Sequence, residues 1–154
     1  MGEHHPAMTT ADARTLAERI AESMYARDTA TQALGIRIAH IGPGFSELAM
    51  AVRADMLNGH EICHGGFIFT LADSSFAYAC NSYNLNTVAS GCAIDFLAPA
   101  REGDVLVAVA QERSISGRTG VYDIEVKSEA GVKIALFRGK SYRIKGHVVD
   151  EQGG

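Results

Sequence analysis

Proline and cysteine are both scarce, at 3 residues each in a chain of 154 that carries 16 glycines. With 47% of residues hydrophobic, that balance excludes collagen-like, mucin-like and wholly disordered chains and suits about one globular domain. Cys63, Cys80 and Cys92 are odd in number and form no C-x-x-C pair, and a core of this size needs no covalent staples, so they read as reduced thiols of a cytoplasmic protein. Positive charge is not in excess either. The 14 basic and 18 acidic side chains leave a net −4, which gives no global field for nucleic acid or an anionic membrane. No secretory apolar run or Arg-rich transit pattern marks the opening MGEHHPAMTT. The most apolar window, Phe67 to Cys80, is broken by Asp73, Ser74 and Ser75 and is too short for about 30 Å of hydrocarbon. A G-x-S-x-G nucleophile elbow and glycine-rich phosphate loops are also missing.

What is present falls into a clear order. Residues 1–9 read as a loose arm, 10–146 as one domain and 147–154 as a frayed tail. Leu16, Ile20 and Met24 recur every four residues and predict an amphipathic helix from Thr10 or Asp12 to about Asp28. The runs ALGIRIAHI and FSELAMAV, parted by Gly42-Pro43-Gly44, predict a hairpin. Residues 54–64 read as a loop, and GFIFTLADSSFAYAC as a buried helix over about 66–81. Four further β runs follow at about 87–98, 104–115, 119–129 and 132–144. The turns between these four runs, Arg101-Glu102-Gly103, Ser116-Gly117-Arg118 and Glu129-Ala130-Gly131, are too short for parallel crossovers, so the strands must be antiparallel. Tyr122, Ile124 and Val126 alternate with Asp123, Glu125 and Lys127, which makes one face of the sheet wet and the other packed.

The only element apolar enough to fill a curved antiparallel sheet is the 66–81 helix. The expected fold is therefore α+β and of hot-dog type: five to six antiparallel strands wrapped around one long central helix, with an extra N-terminal helix. Two long unpaired edges would remain, so the chain is expected to dimerise.

Asp73 is the most informative residue, because a carboxylate in the second turn of a greasy helix carries a cost that packing does not explain. It is either paired to an Arg distant in sequence, or on an exposed stripe with Ser74, or catalytic. Gly65-Gly66 opens the same helix, where unpaired N–H groups at the positive dipole end can hold a developing oxyanion, or where the glycines simply let the chain turn. The two features are eight residues apart, about 12 Å along a helix axis, so they cannot act on one carbonyl unless two helices pack antiparallel across a dimer axis. His60-Glu61-Ile62-Cys63-His64 fits the H-E-x-x-H zinc pattern, yet it lies between Asn58-Gly59 and Gly65-Gly66, where a helix is not expected; no metal site is assigned. His64 reads as positioning the glycine loop or as a satisfied structural histidine. The closing strand carries Lys133, Arg138, Lys140, Arg143 and Lys145 with no acid, which reads either as a phosphate-receiving surface with Arg118 or as a solvated edge strand.

The pattern N-x5-H-G-G-x6-D, present as Asn58, His64-Gly65-Gly66 and Asp73 in NGHEICHGGFIFTLADSSFAYACN, resembles the hot-dog thioesterases. The likeness is strongest to the phenylacetic-acid-degradation thioesterases, which hydrolyse phenylacetyl-coenzyme A and ring-hydroxylated relatives. It runs from ERIAESMYARD to GKSYR. The resemblance implies Asp73 as catalytic general base or nucleophile, Gly65 N–H as oxyanion donor from the opposite subunit, Asn58 holding water or substrate, and His64 in support. It further implies Gly66 and Ser74 in substrate binding, Phe96 and Leu97 at the acyl pocket, and coenzyme A near Gly117, Arg118 and Thr119. One departure stands out: the hydroxyl that related enzymes carry one turn after the acid is Ala77 here, so Ser74 would have to replace it. No cofactor is expected, since coenzyme A belongs to the substrate. The expected partners are an acyl-coenzyme A and further copies of the chain, as a dimer with shared sites and a dimer of dimers, with neither nucleic acid nor membrane. The competing readings are a non-catalytic acyl-coenzyme A binding or sensing module and a hot-dog hydratase, for which only His64 would be available.

Overall fold

The computed structural model describes residues 8–150; residues 1–7 of the expected arm and 151–154 of the expected tail lie outside the described residues. Thr9 caps helix α1 (Thr10–Arg27) reciprocally with Asp12, a capping box that fixes its start. Asp28 ends α1 and caps a short helix α2 (Thr29–Ala33), which the sequence does not predict; only its last residue, Ala33, falls in the expected β run. The helix stops there because Gly35 takes φ +67°, a left-handed value, and strand β1 (Arg37–Gly42) follows. Strand β2 (Phe45–Ala51) pairs antiparallel with β1 across Gly42 and Phe45, the hairpin the turn signal predicted.

Helix α3 (Gly65–Cys80) is the central helix, and strands β3 (Thr87–Phe96), β4 (Val105–Ser116), β5 (Thr119–Ser128) and β6 (Lys133–Arg143) complete one sheet in the order β1-β2-β4-β5-β6-β3. Every pairing is antiparallel. Six strands wrapped around α3 make the hot-dog fold expected from the sequence. The inner face meets the helix through Leu48, Met50, Leu106, Ala108, Tyr122, Ile124, Val126 and Phe137, all buried. Gly139 is part of that fit, because a Cβ there would sit 2.8 Å from the Phe76 ring. A polar seam crosses the interior as well: Ser46 Oγ donates to the Ser75 carbonyl at 2.6 Å, and Ser75 Oγ donates to Ala108 O at 3.2 Å.

Two expectations change. The basic strand is not an edge but lies between β5 and β3, because β3 crosses to the far side of the sheet. On its outer face Arg138 binds Asp123 at 2.6 and 2.9 Å and Lys133 lies 3.5 Å from Glu125, so cross-strand acids take up part of its charge. Residues 147–150 do not fray. Asn84, fully buried at φ +65°, donates from Nδ2 to Val149 O and accepts from Val149 N, both at 2.9 Å, while His147 Nδ1 meets Asn84 O at 2.8 Å. Among the described residues no helix is long and apolar enough to cross a membrane.

Candidate active site

Helix α3 begins at a tightly bonded corner. Cys63 N–H donates to Ala100 O and His64 N–H to Met56 O, both at 2.7 Å. The His64 ring then caps the helix, its Nδ1 accepting from Gly66 N–H at 3.2 Å, so the ring proton of this neutral tautomer sits on Nε2. Gly65 N–H, the first of the helix, has no partner among the described residues. The Phe96 ring lies over Gly65, where an added Cβ would stand 2.9 Å from Cζ, so any larger residue here would push this exposed ring aside.

Asn58 shapes the loop before it. Its Oδ1 accepts from His60 N–H at 2.9 Å and Ile62 N–H at 3.4 Å, and Glu61 adopts φ +61°. This turn keeps His60 and His64 off any common helical face, and no group of three or more His, Cys, Asp or Glu among the described residues is placed to hold a metal ion. The Asn58 Nδ2 donors are not used within the protomer's described hydrogen bonds.

Gly66, Thr70, Asp73 and Ala77 recur along one stripe of α3 that the sheet leaves partly open. Asp73 is the only acid on the helix and binds no side chain or backbone donor among the described residues, so within the described protomer no Arg pairs with it. Burial, and secondarily the negative charge of Asp28, hold its carboxyl above the usual carboxylate range. Ser74 departs from its expected role: it is 8% exposed and turned inward, with Oγ 3.0 Å from Thr31 Oγ1, because the next helical position points about 100° away from Asp73. The three thiols are poor nucleophiles. Burial pushes Cys63 up to about 11 and Cys80 up to about 12, and Cys92 is also raised.

The remaining expected residues fall at opposite ends. Phe96 and Leu97, 53% and 50% exposed, flank the Gly65 end of α3. The Gly117-Arg118-Thr119 turn sits at the other end, since Thr119 pairs with Tyr142 and Tyr142 with Val88 at the start of β3. One protomer therefore does not bring turn, acid and amide together. Two surface hollows, of about 440 Å³ between α1 and the first hairpin and about 1000 Å³ across the outer sheet, are lined by neither Asp73 nor Gly65. The candidate site is an open face rather than a closed pocket. Asp28 and Thr31, missed in the sequence, connect to the residue after Asp73 through the Thr31–Ser74 contact; their signal was the cap spacing Asp-x-x-Thr after the α1 stripe.

The sequence profile of the Thioesterase superfamily matches residues 60–135. Acyl-coenzyme A thioesterase PaaI of Escherichia coli is 53% identical over 131 residues, covering 85% of this chain and 94% of the relative. A putative esterase of Archaeoglobus fulgidus is 38% identical over 136 residues, 88% of each chain. The solved structure of the E. coli PaaI protein, from the phenylacetic acid degradation operon, superposes with TM-score 0.87 at 51% identity, covering 88% of this chain and 98% of the other.

Proposed function

As the chain belongs to the hot-dog thioesterases, in their phenylacetic-acid-degradation branch, we propose that it hydrolyses phenylacetyl-coenzyme A or ring-hydroxylated aryl-acetyl relatives, with Asp73 of one subunit facing Gly65 of another. The observation that carries this reading is a pair of groups on α3, a partly buried carboxylate and the first N–H of the helix, neither of which has a hydrogen-bond partner among the described residues. A thioester carbonyl would accept from Gly65 N–H as its oxygen becomes anionic. Asp73 would take a proton from water as the water oxygen attacks the carbonyl carbon; alternatively its carboxylate attacks directly, forming a mixed anhydride that water then opens. In either route the C–S bond breaks and coenzyme A leaves as the thiol. A carboxylate of raised proton affinity serves the first route better than an ordinary one.

Separation along one helix, about 12 Å, makes a second copy necessary. Strand β3 supports the pairing, being a ten-residue edge whose residues 88–93 are all exposed and mostly small. If β3 meets its copy antiparallel, the Val88 end of one chain lies beside Phe96 of the other. The 117–119 turn then joins the partner's Gly65 end and can receive coenzyme A, with Phe96 and Leu97 bordering the acyl group. Asn58 Nδ2 would hold water or substrate. Coenzyme A enters with the substrate and no separate cofactor is required; a dimer of dimers would bring four such sites together. A thiol-trapping dye assay with phenylacetyl, benzoyl and medium straight-chain thioesters tests the reading. Release of free thiol, fastest with phenylacetyl, is expected; tight binding without thiol release would leave a binding module instead.

A further inference from the structure

The carboxylate of Asp28 holds more bonds than capping a five-residue helix needs. Its Oδ1 accepts from Thr31 N–H at 3.1 Å, and its Oδ2 accepts from Thr31 Oγ1 at 2.7 Å and from Tyr78 Oη at 3.2 Å. Thr31 has one hydroxyl hydrogen, and it is given to Asp28; in the 3.0 Å contact between Thr31 and Ser74 the donor is therefore Ser74. Donation thus runs from Ser74 through Thr31 to Asp28, and separately from Tyr78 to Asp28. Ser74 and Tyr78 follow Asp73 by one and five residues, so a single carboxylate grips the turn of α3 that leaves the candidate base.

An uncharged Ser or Asn would cap α2 as well. A carboxylate at this place also adds like-charge repulsion to Asp73, which a purely structural role does not call for. We propose that Asp28 is a positioning residue for the hydrolysis, anchoring the Asp73 turn through Thr31, Ser74 and Tyr78 while adding a negative charge near it; this rests on the function proposed above. The ionisable groups acting on Asp73 or responding to it are Asp28 from the α1–α2 corner, Cys80 on α3 and Cys92 on β3. Tyr78 and Tyr25 surround Asp28, and burial with the Asp28 charge pushes Tyr78 well above the usual phenol range. Both thiols are raised and so neutral, which leaves Asp28, among the described residues, as the charge that bears on the base.

The test is the pH dependence of kcat and KM on phenylacetyl-coenzyme A. Asp28→Asn should lower kcat about tenfold with KM within about twofold, and move the acid limb of kcat/KM to lower pH, since the base loses a neighbouring negative charge. Tyr78→Phe keeps that charge and should lower kcat a few-fold with the limb in place. An unmoved limb in Asp28→Asn, or an equal shift in Tyr78→Phe, overturns the proposal. Should Asp28→Asn not fold, Thr31→Val should lose kcat and Thr31→Ser should restore it; equal kcat in both also overturns it. An Asp73→Asn variant as active as the parent removes the proposed function and this inference with it. A dead Asp73→Asn beside an unaltered Asp28→Asn removes this inference alone.

Discussion

The two faces of the sheet treat their acids in opposite ways. On the outer face Asp123 sits between Arg138 and Arg113, and Glu125 between Lys127 and Lys133, and these hydrogen bonds and charges hold both carboxyls below the usual range. On the inner side the packing is tight enough to demand glycine at position 139, and yet the α3 stripe carries Asp73 with no partner among the described residues and a raised proton affinity. A solvated surface can afford paired acids of little consequence. An unpaired acid beside a dense core is destabilising, and its retention points to chemistry rather than folding.

Removing the inner acid should have the largest effect. Asp73→Asn is expected to lower kcat by about 10³-fold, within the range for loss of a general base, while raising Tm. The sign follows from linkage: a carboxyl whose folded pKa is raised disfavours its charged form in the fold, so at neutral pH its charge costs stability, which returns as pH falls through the raised value. A variant equally inactive but less stable than the parent would place Asp73 among structural residues. Gly139→Ala probes the packing beside it. The new Cβ, 2.8 Å from Phe76, should cost about 1–3 kcal/mol in urea unfolding, and an unchanged midpoint would show that the core has slack. The smallest effect belongs to the outer face, where Asp123→Asn should shift Tm by no more than about 3 °C at neutral pH and leave turnover unchanged. Here the folded pKa is lowered, so the contribution exists above the ordinary carboxylate range and disappears as pH falls through the lowered value; the difference from the parent should vanish in acid. A large loss at pH 7 would erase the contrast between the faces.

Much of this was legible in the sequence because it is local. The hairpin at Gly42-Pro43-Gly44, the greasy helix interrupted by Asp73, and the alternation of Tyr122, Ile124 and Val126 each follow from neighbours within a few residues. The glycine pair and His64 were legible as a helix start, and the ring of His64 does cap Gly66. Illegible features depend on distant partners. Nothing near Lys133–Arg143 says that β3 will cross over to lie outside it, so for a central strand an edge stood as one of two readings. Ser74 looked available until its rotation toward Thr31, 43 residues earlier, was known. Asp28 looked like the end of a helix, and its link to Tyr78 spans 50 residues.

Asn84 carries a consequence of a different kind. A buried amide that spends both ends on the backbone of Val149 makes the chain's closing stretch a buckle for the bend between α3 and β3. Shortened chains should therefore not weaken by degrees. A stop before Val149 removes both backbone partners of the Asn84 amide, at about 1–3 kcal/mol for each, and a deletion series should show its largest step at that residue.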